Sequence, residues 1–154
     1  MLGTKILEER KSKFNGDIKV VKSLGFGTYI QAGGLTQSGG IVETIWKSTL
    51  RRINHLSNQP INSCLILGLG GGTVAKLIRK KYPEAEIIGV DIDSEMIELG
   101  KKYLKLNDYK VKIIIGDALD FPNHPNQKYD LILSIYITAR SFRKSLKQKI
   151  ICSL

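Results

Sequence analysis

The sequence is short of cysteine, histidine and acidic residues, and each shortage removes a class of function. Its two cysteines, Cys64 and Cys152, lie far apart with no CxxC spacing, which excludes a disulfide framework and a cysteine zinc site. Cys64 heads an apolar segment and reads as a small buried hydrophobe. The two histidines stand singly in loop-like contexts, His55 in "NHLSN" and His124 in "FPNHPNQ", and neither reads as a chemical group. No metal site is expected. No apolar run approaches the roughly 20 residues that span a bilayer, and "MLGTKILEERKSKF" interleaves acids and bases with no apolar leader core. A cytoplasmic protein without a membrane segment is expected.

Fourteen acids stand against 24 lysines and arginines, a formal charge of +10. Such an excess steers anionic partners, nucleic acid above all. The charge is spread, however: "RKK" at 79–81 and "KK" at 101–102 fall on the outer faces of predicted helices. Arg140, Arg143, Lys144, Lys147 and Lys149 form an acid-free basic stretch. Basic and aromatic residues interleave too thinly for an RNA platform. Nucleic acid is thus a partner that charge allows and no motif specifies.

The 154 residues fit one core-forming domain with a small appendage. Residues 1–40 read as a small antiparallel β region: "TKILEER", "DIKVVKSL" and "GTYIQAGG" are short strand-like pieces separated by turns. Gly33-Gly34 and Gly39-Gly40 bracket "LTQS", which reads as a hairpin tip or tight corner. A second domain is expected over 41–154. It opens with a helix of about four turns, because Ile41, Val42, Ile45, Trp46, Thr49, Leu50, Ile53 and Leu56 recur at helical spacing. Trp46 in that stripe reads as core. "SNQPINS" ends the helix. Strands "CLILGL", "AEIIGVDI", "VKIIIGD" and "YDLILSIYI" follow, the first two leading into helices "TVAKLIRKKY" and "EMIELGKKYLKL". Continuous apolar strands alternating with helices predict an α/β fold with a mostly parallel sheet of about four strands. Ligands of such sheets sit at the strands' C-terminal ends.

Three of those ends carry motifs. Gly68, Gly70 and Gly72 form GxGxG, with Gly71 extra, between the first strand and its helix. Glycine there permits positive φ and brings backbone N–H groups near a ligand. The second strand ends in "VDID", where Asp91 can take both hydroxyls of a ribose and Ile92 lies beside it. That acid suits NAD and S-adenosylmethionine equally. The third ends in "GDA", where Asp117 would accept from the amino group of an adenine and Ala118 would leave room for the ring. The three ends together specify adenosine better than any one alone. An NAD-linked oxidoreductase is disfavoured because GxGxG replaces GxGxxG and no proton donor stands near the fourth strand.

"LILGLGGGTVAKLIRKKYPEAEIIGVDIDSEMIELGKKYL", followed by "VKIIIGDALDF" and "YDLIL", resembles the nucleoside-binding half of the Rossmann-like class I methyltransferase fold. Within that fold it is most similar to the spermidine synthase-like, polyamine aminopropyltransferase branch. "FNGDIKVVKSLGFGTYIQAGG" resembles the branch's small N-terminal β-domain. The resemblance covers residues 1 to about 136 and implies binding of S-adenosylmethionine or its decarboxylated form. It implies Gly68, Gly70 and Gly72 at the methionine part and sugar edge, Asp91 at the ribose, and Asp117 with Ala118 at the adenine.

The branch's chemistry is less well matched. Where a carboxylate should follow "YDLIL" stand Ser134, Ile135 and Tyr136, with Ile135 at its place. Its Tyr-His-Glu pattern is absent from "GGIVETIWKS", which keeps only Glu43 as an acid, and "GLGGGT" stands for "GGGDGG". Methyl transfer, whose sulfonium is already an activated leaving group, asks less of side chains. The expected function is therefore methyl transfer to a small-molecule or unidentified acceptor. The alternatives are aminopropyl transfer from decarboxylated S-adenosylmethionine to a polyamine, or a non-catalytic nucleoside-binding module. No catalytic residue is assigned. The fold's C-terminal strands are missing, as in a short divergent member or a truncated relative. "TARSFRKSLKQKIICSL" has room for one basic helix, which would leave the fourth strand's edge open to homodimerisation.

Overall fold

The computed structural model describes residues 3–53, 60–121, 128–136 and 147–151. Strands β1 (Thr4–Ser12), β2 (Gly16–Ser23), β3 (Gly27–Ala32) and β4 (Leu35–Gly39) form an antiparallel sheet in that order. Its period-two inward positions, Ile18, Val20, Ile30 and Ala32, are fully buried against Met96 and Leu99. "LTQS" is not the hairpin tip. Gly33 and Gly34, both at positive φ, make the turn, and Leu35–Gly39 pairs back on β3. A two-residue turn of that hand matches the strand twist, which frees the next five residues for pairing.

Helix α1 (Gly40–Ile53) buries Val42, Trp46 and Leu50, one residue per turn. Trp46 is core, as its place in the apolar stripe predicts. The buried stripe is narrower than the sequence suggests, since Ile41 and Ile45 are exposed. Leu56 and the first three residues of "SNQPINS", 57–59, lie outside the described residues, as do His55, His124, Arg140, Arg143, Lys144 and Cys152.

The second sheet has the order β7-β6-β5-β8-β9, from β5 (Ser63–Leu67), β6 (Glu86–Asp91), β7 (Val111–Ile115), β8 (Leu131–Tyr136) and β9 (Lys147–Ile151). The first four of these strands run parallel. Helices α2 (Thr73–Lys81) and α3 (Ser94–Tyr103) carry the crossovers. α3 stops at Tyr103, short of the expected Leu106, because Lys105 takes a left-handed φ of 58° before a single 3-10 turn, Leu106–Tyr109. Alternation along β5 puts Cys64 and Ile66 in one apolar cluster, with Trp46 and Ile78, and Leu65 and Leu67 in another. Burial on both faces is why this strand reads as an unbroken apolar run.

The basic helix expected after β8 is corrected by the structure. Lys147–Ile151 is a strand antiparallel to β8, pairing Tyr136 with Lys147 through Ile132 with Ile151. An uncovered strand presents a row of unpaired N–H and C=O groups, and the β9 backbone pairs with that row. The β8 edge offered for homodimerisation is therefore occupied by β9.

The two sheets interlock at the glycine loop. The Gly71 N–H donates to Ser38 Oγ at 2.7 Å, and the Gly39 N–H donates to Thr73 Oγ1 at 2.7 Å. A Cβ on Gly71 would stand 2.8 Å from Ile30 Cδ1 and 2.9 Å from Ser38 Cβ. At Gly68, with φ 86°, a Cβ would stand 2.1 Å from the Ile135 carbonyl oxygen. Protein therefore fills the space these two side chains would need.

A second tie runs through Glu8. Its carboxylate accepts from Lys102 Nζ at 2.6 Å and Tyr103 Oη at 2.7 Å on α3, and from Arg10 Nε at 2.6 Å. Arg10 reaches on to Glu95 at 2.8 Å.

These contacts generate two predictions. Hydrogen bonds from Lys102, Tyr103 and Arg10 hold the Glu8 carboxyl at about 2, against an ordinary 4.5. The stabilisation is complete above pH 4.5 and is lost as pH falls towards 2. Glu8→Gln should therefore lower the melting temperature at neutral pH, and the gap to wild type should close as pH drops through that window. Gly68→Ala should cost at least about 2 kcal/mol, combining the left-handed φ with the backbone clash. Gly25→Ala, which meets nothing within 4 Å, should stay within about 0.5 kcal/mol by urea denaturation.

Candidate functional site

The parallel order of β5, β6 and β7 brings their C-terminal tips side by side, and hydrogen bonds stitch them together. Gly68 and Leu69 donate N–H bonds to the Val90 carbonyl at 2.9 and 3.0 Å. Gly116 donates to the Asp91 carbonyl at 2.9 Å. The half-buried Asp91 carboxylate accepts from the Gly70 N–H at 2.6 Å through Oδ2 and from the Asp93 N–H at 2.9 Å through Oδ1. Burial pushes its pKa up, and the N–H groups of Asp93 and Gly70 work against that rise. A carboxylate offers about four acceptor positions. Hydroxyl donors arriving at Asp91 would therefore offset a desolvation the fold has already imposed.

The structure brings the sequence-predicted residues to one ridge but in different settings. Gly68, Gly70, Gly71 and Gly72 form the β5–α2 loop, with Gly72 capping α2 in the left-handed conformation. Asp117 is exposed and its Oδ1 accepts the Leu119 N–H at 2.8 Å, which fixes the turn after β7. Ala118 is buried, packed in the cluster of Leu65, Leu67, Ile88, Val90 and Tyr129. Ile92, Ile115 and Leu119 are exposed at 38%, 53% and 72%. Three solvent-facing apolar side chains beside two carboxylates suit a flat ligand that is apolar on its faces and polar at its edges.

Three residues at or behind this ridge escape sequence reasoning. Gln37 sits at the β-bulge that shifts register between Ile30 and Gln31, and its buried Nε2 has no hydrogen-bond partner. Its main-chain oxygen would lie 4.0 Å from a Cβ on Gly70, so the residue borders the glycine loop. A bulge has no reliable sequence signal, and this one places Gln37 and Ser38 at the loop. Asp93 is the third. Buried as the N-cap of α3, it accepts from the Glu95 N–H at 3.0 Å, and from Ser12 Oγ and Asn15 Nδ2 at 2.5 Å each. The Asp-Ser-Glu sequence at 93–95 carries the cap signal that could have found it.

The end of β8 carries no carboxylate. Ser134 is buried and Ile135 packs against the main core. Glu43 at the start of α1 is taken by Lys47 at 2.9 Å and Lys76 at 3.0 Å. Burial raises its pKa, and those two lysines outweigh burial and lower it. Among the described residues no three histidine, cysteine, aspartate or glutamate side chains are grouped to hold a metal, and no helix is long and apolar enough to cross a membrane.

Known proteins are similar to this chain. A family described as a methyltransferase domain matches residues 64–151. Over 133 residues the chain is 33% identical to a polyamine aminopropyltransferase of Clostridium botulinum (strain Eklund 17B / Type B), covering 82% of this chain and 46% of that protein. It is 36% identical over 107 residues to a malonyl-(acyl-carrier protein) O-methyltransferase of Priestia megaterium, covering 62% and 38%. Spermidine synthase from Thermotoga maritima superposes with a TM-score of 0.71 at 20% identity, over 84% of this chain and 46% of that one. The chain spans less than half the length of each of these relatives. It belongs to the methyltransferase-domain family, with the class I S-adenosylmethionine-dependent methyltransferase fold in its spermidine synthase-like form.

Proposed function

We propose that the ridge formed by the tips of β5, β6 and β7 binds S-adenosylmethionine, or its decarboxylated form, and that the chain works in methyl transfer. The observation that carries this reading is Asp91: a half-buried carboxylate, fixed by the Gly70 and Asp93 N–H groups, with acceptor capacity left for a ribose. The unpartnered Gln37 amide beside the glycine loop fits the same ligand. In this reading Gly68, Gly70, Gly71 and Gly72 supply the loop along the methionine part. Asp91 takes the ribose hydroxyls with Ile92 alongside, and Asp117 and Ala118 border the adenine. When bound, the cosubstrate supplies a methyl group on an already activated sulfonium. What remains for the protein is orientation, and fixed backbone at three strand tips provides it.

Aminopropyl transfer to a polyamine is the second reading, favoured by the 33% identity to a polyamine aminopropyltransferase. It asks for a carboxylate to draw a proton from the attacking amine. The tip of β8 offers the buried hydroxyl of Ser134 and the aliphatic Ile135 in its place.

Calorimetric titration with S-adenosylhomocysteine should show one site, and NAD should not bind. Asp91→Asn should weaken binding at least tenfold, about 1.4 kcal/mol, while the circular dichroism spectrum is kept. Absence of binding, or unchanged affinity in the variant, would overturn the assignment. An aminopropylated product from decarboxylated S-adenosylmethionine and putrescine would replace methyl transfer with the second reading.

A further inference from the structure

A crevice of about 430 Å³ lies between the N-terminal sheet and helices α1, α2 and α3. Gly72 and Thr73 contribute to its wall, but Gly70, Asp91 and Asp117 do not. Its volume falls within the range of about 300–1,000 Å³ typical of small-molecule sites. Three aromatic side chains line it: Phe26 from the β2–β3 turn, Tyr103 from the end of α3, and Tyr109 from the 3-10 turn. Two lysines join them, Lys76 from α2 and Lys105 from the residue preceding that turn.

The partners of these groups define what the crevice can take. The Tyr103 hydroxyl donates to Glu8, and the Tyr109 hydroxyl donates to the Leu104 carbonyl. Both hydroxyls are therefore committed, and the rings are what these residues have left to offer. Lys102 Nζ stands 5.2 Å from the centroid of the Tyr103 ring, which places a positive charge beside it. Phe26 is 59% exposed, an aromatic side chain that the core does not use. Glu43, the carboxylate in the lining, is neutralised by Lys47 and Lys76. Lys105 has no carboxylate partner among the described residues, and it keeps a left-handed φ of 58° although it is not glycine. Aromatic surface, one uncompensated ammonium group on Lys105 and a second on Lys76 that shares Glu43 with Lys47 match, within one concave site, a ligand carrying both a flat ring and a phosphate.

We infer that this crevice is a second binding site, for a nucleotide taken free or within a single strand. A base would stack on the rings while its phosphate meets Lys105 and Lys76. The formal charge of +10 would steer such ligands toward the chain. The inference rests on Phe26, Tyr103, Tyr109, Lys76 and Lys105, none of which the adenosine reading uses, although Gly72 borders both sites.

The test is fluorescence anisotropy with a labelled oligouridine of about 12 nucleotides, at low salt and with S-adenosylhomocysteine in excess to occupy the tips. Uridine monophosphate should compete, and inorganic phosphate should compete at least about tenfold less well, since the ring contributes by stacking. Phe26→Ser and Lys105→Gln should each weaken binding about fivefold and leave S-adenosylhomocysteine affinity unchanged. The double variant of Arg51→Gln and Lys80→Gln, which removes exposed charge outside the crevice, should bind like wild type. An oligomer binding far more tightly than the monophosphate identifies a strand as the ligand, and equal affinities identify the free nucleotide. Four results would overturn the inference. These are no binding at low salt, phosphate competing as well as the monophosphate, loss of binding on adding S-adenosylhomocysteine, or the Arg51/Lys80 variant weakening binding as much as Lys105→Gln.

Discussion

Two consecutive amides hold this molecule together. The Gly70 N–H points to Asp91 at the tip of β6, and the next one, on Gly71, points to Ser38 in the antiparallel sheet. One short stretch of backbone thus joins the first parallel strand to its neighbour and to a separate layer. That is feasible only without side chains, since Ile30, Ser38 and Leu104 press against the space a Gly71 Cβ would fill. Gly100 packs on the same spot, where its own Cβ would stand 2.7 Å from the Gly71 backbone. The N-terminal sheet is consequently no loose appendage. Through Gln37, Ser38 and the Gly39 N–H it borders the loop on which the proposed cosubstrate site depends.

Carboxylates are scarce here, and their placement constrains the chemistry. Glu8, Glu43, Glu95 and Glu98 are held in ion pairs. Asp93 caps α3, and Asp130 accepts from the Asn62 and Ser63 N–H groups where β5 begins. The ridge keeps Asp91 and Asp117, both read as nucleoside contacts, and the tip of β8 adds none. A polyamine acceptor would find little to neutralise it there. Transfer of an activated methyl group needs position more than a base, which is why the proposed reading prefers it.

The same scarcity leaves more basic groups than acids to pair them, and the fold gathers rather than scatters some of them. Lys76 and Lys105 are 29 positions apart in the chain, yet they line one crevice because the 3-10 turn packs against α2. Sequence inspection finds basic and aromatic residues thinly interleaved, since it sees only neighbours along the chain. Phe26, Tyr103 and Tyr109 come from three elements and share a wall only after folding.

The parallel core, its helices and the three tip motifs were legible from the sequence alone. Each is a local signal: apolar runs buried on two faces, helical periodicity around Trp46, and glycine or aspartate where a strand ends. The role of Val42, Trp46 and Leu50 as core followed from spacing, but the exposure of Ile41 and Ile45 depended on which neighbours α1 met. Tertiary structure decided the bulge that places Gln37 and Ser38, the strand pairing of Lys147–Ile151 with β8, and the protein contacts that fill the space beside Gly68 and Gly71. Those features arise between segments distant in sequence. Local pattern fixes what each segment can become, whereas only packing determines which surfaces approach closely enough to exclude a methyl group or complete a hydrogen bond.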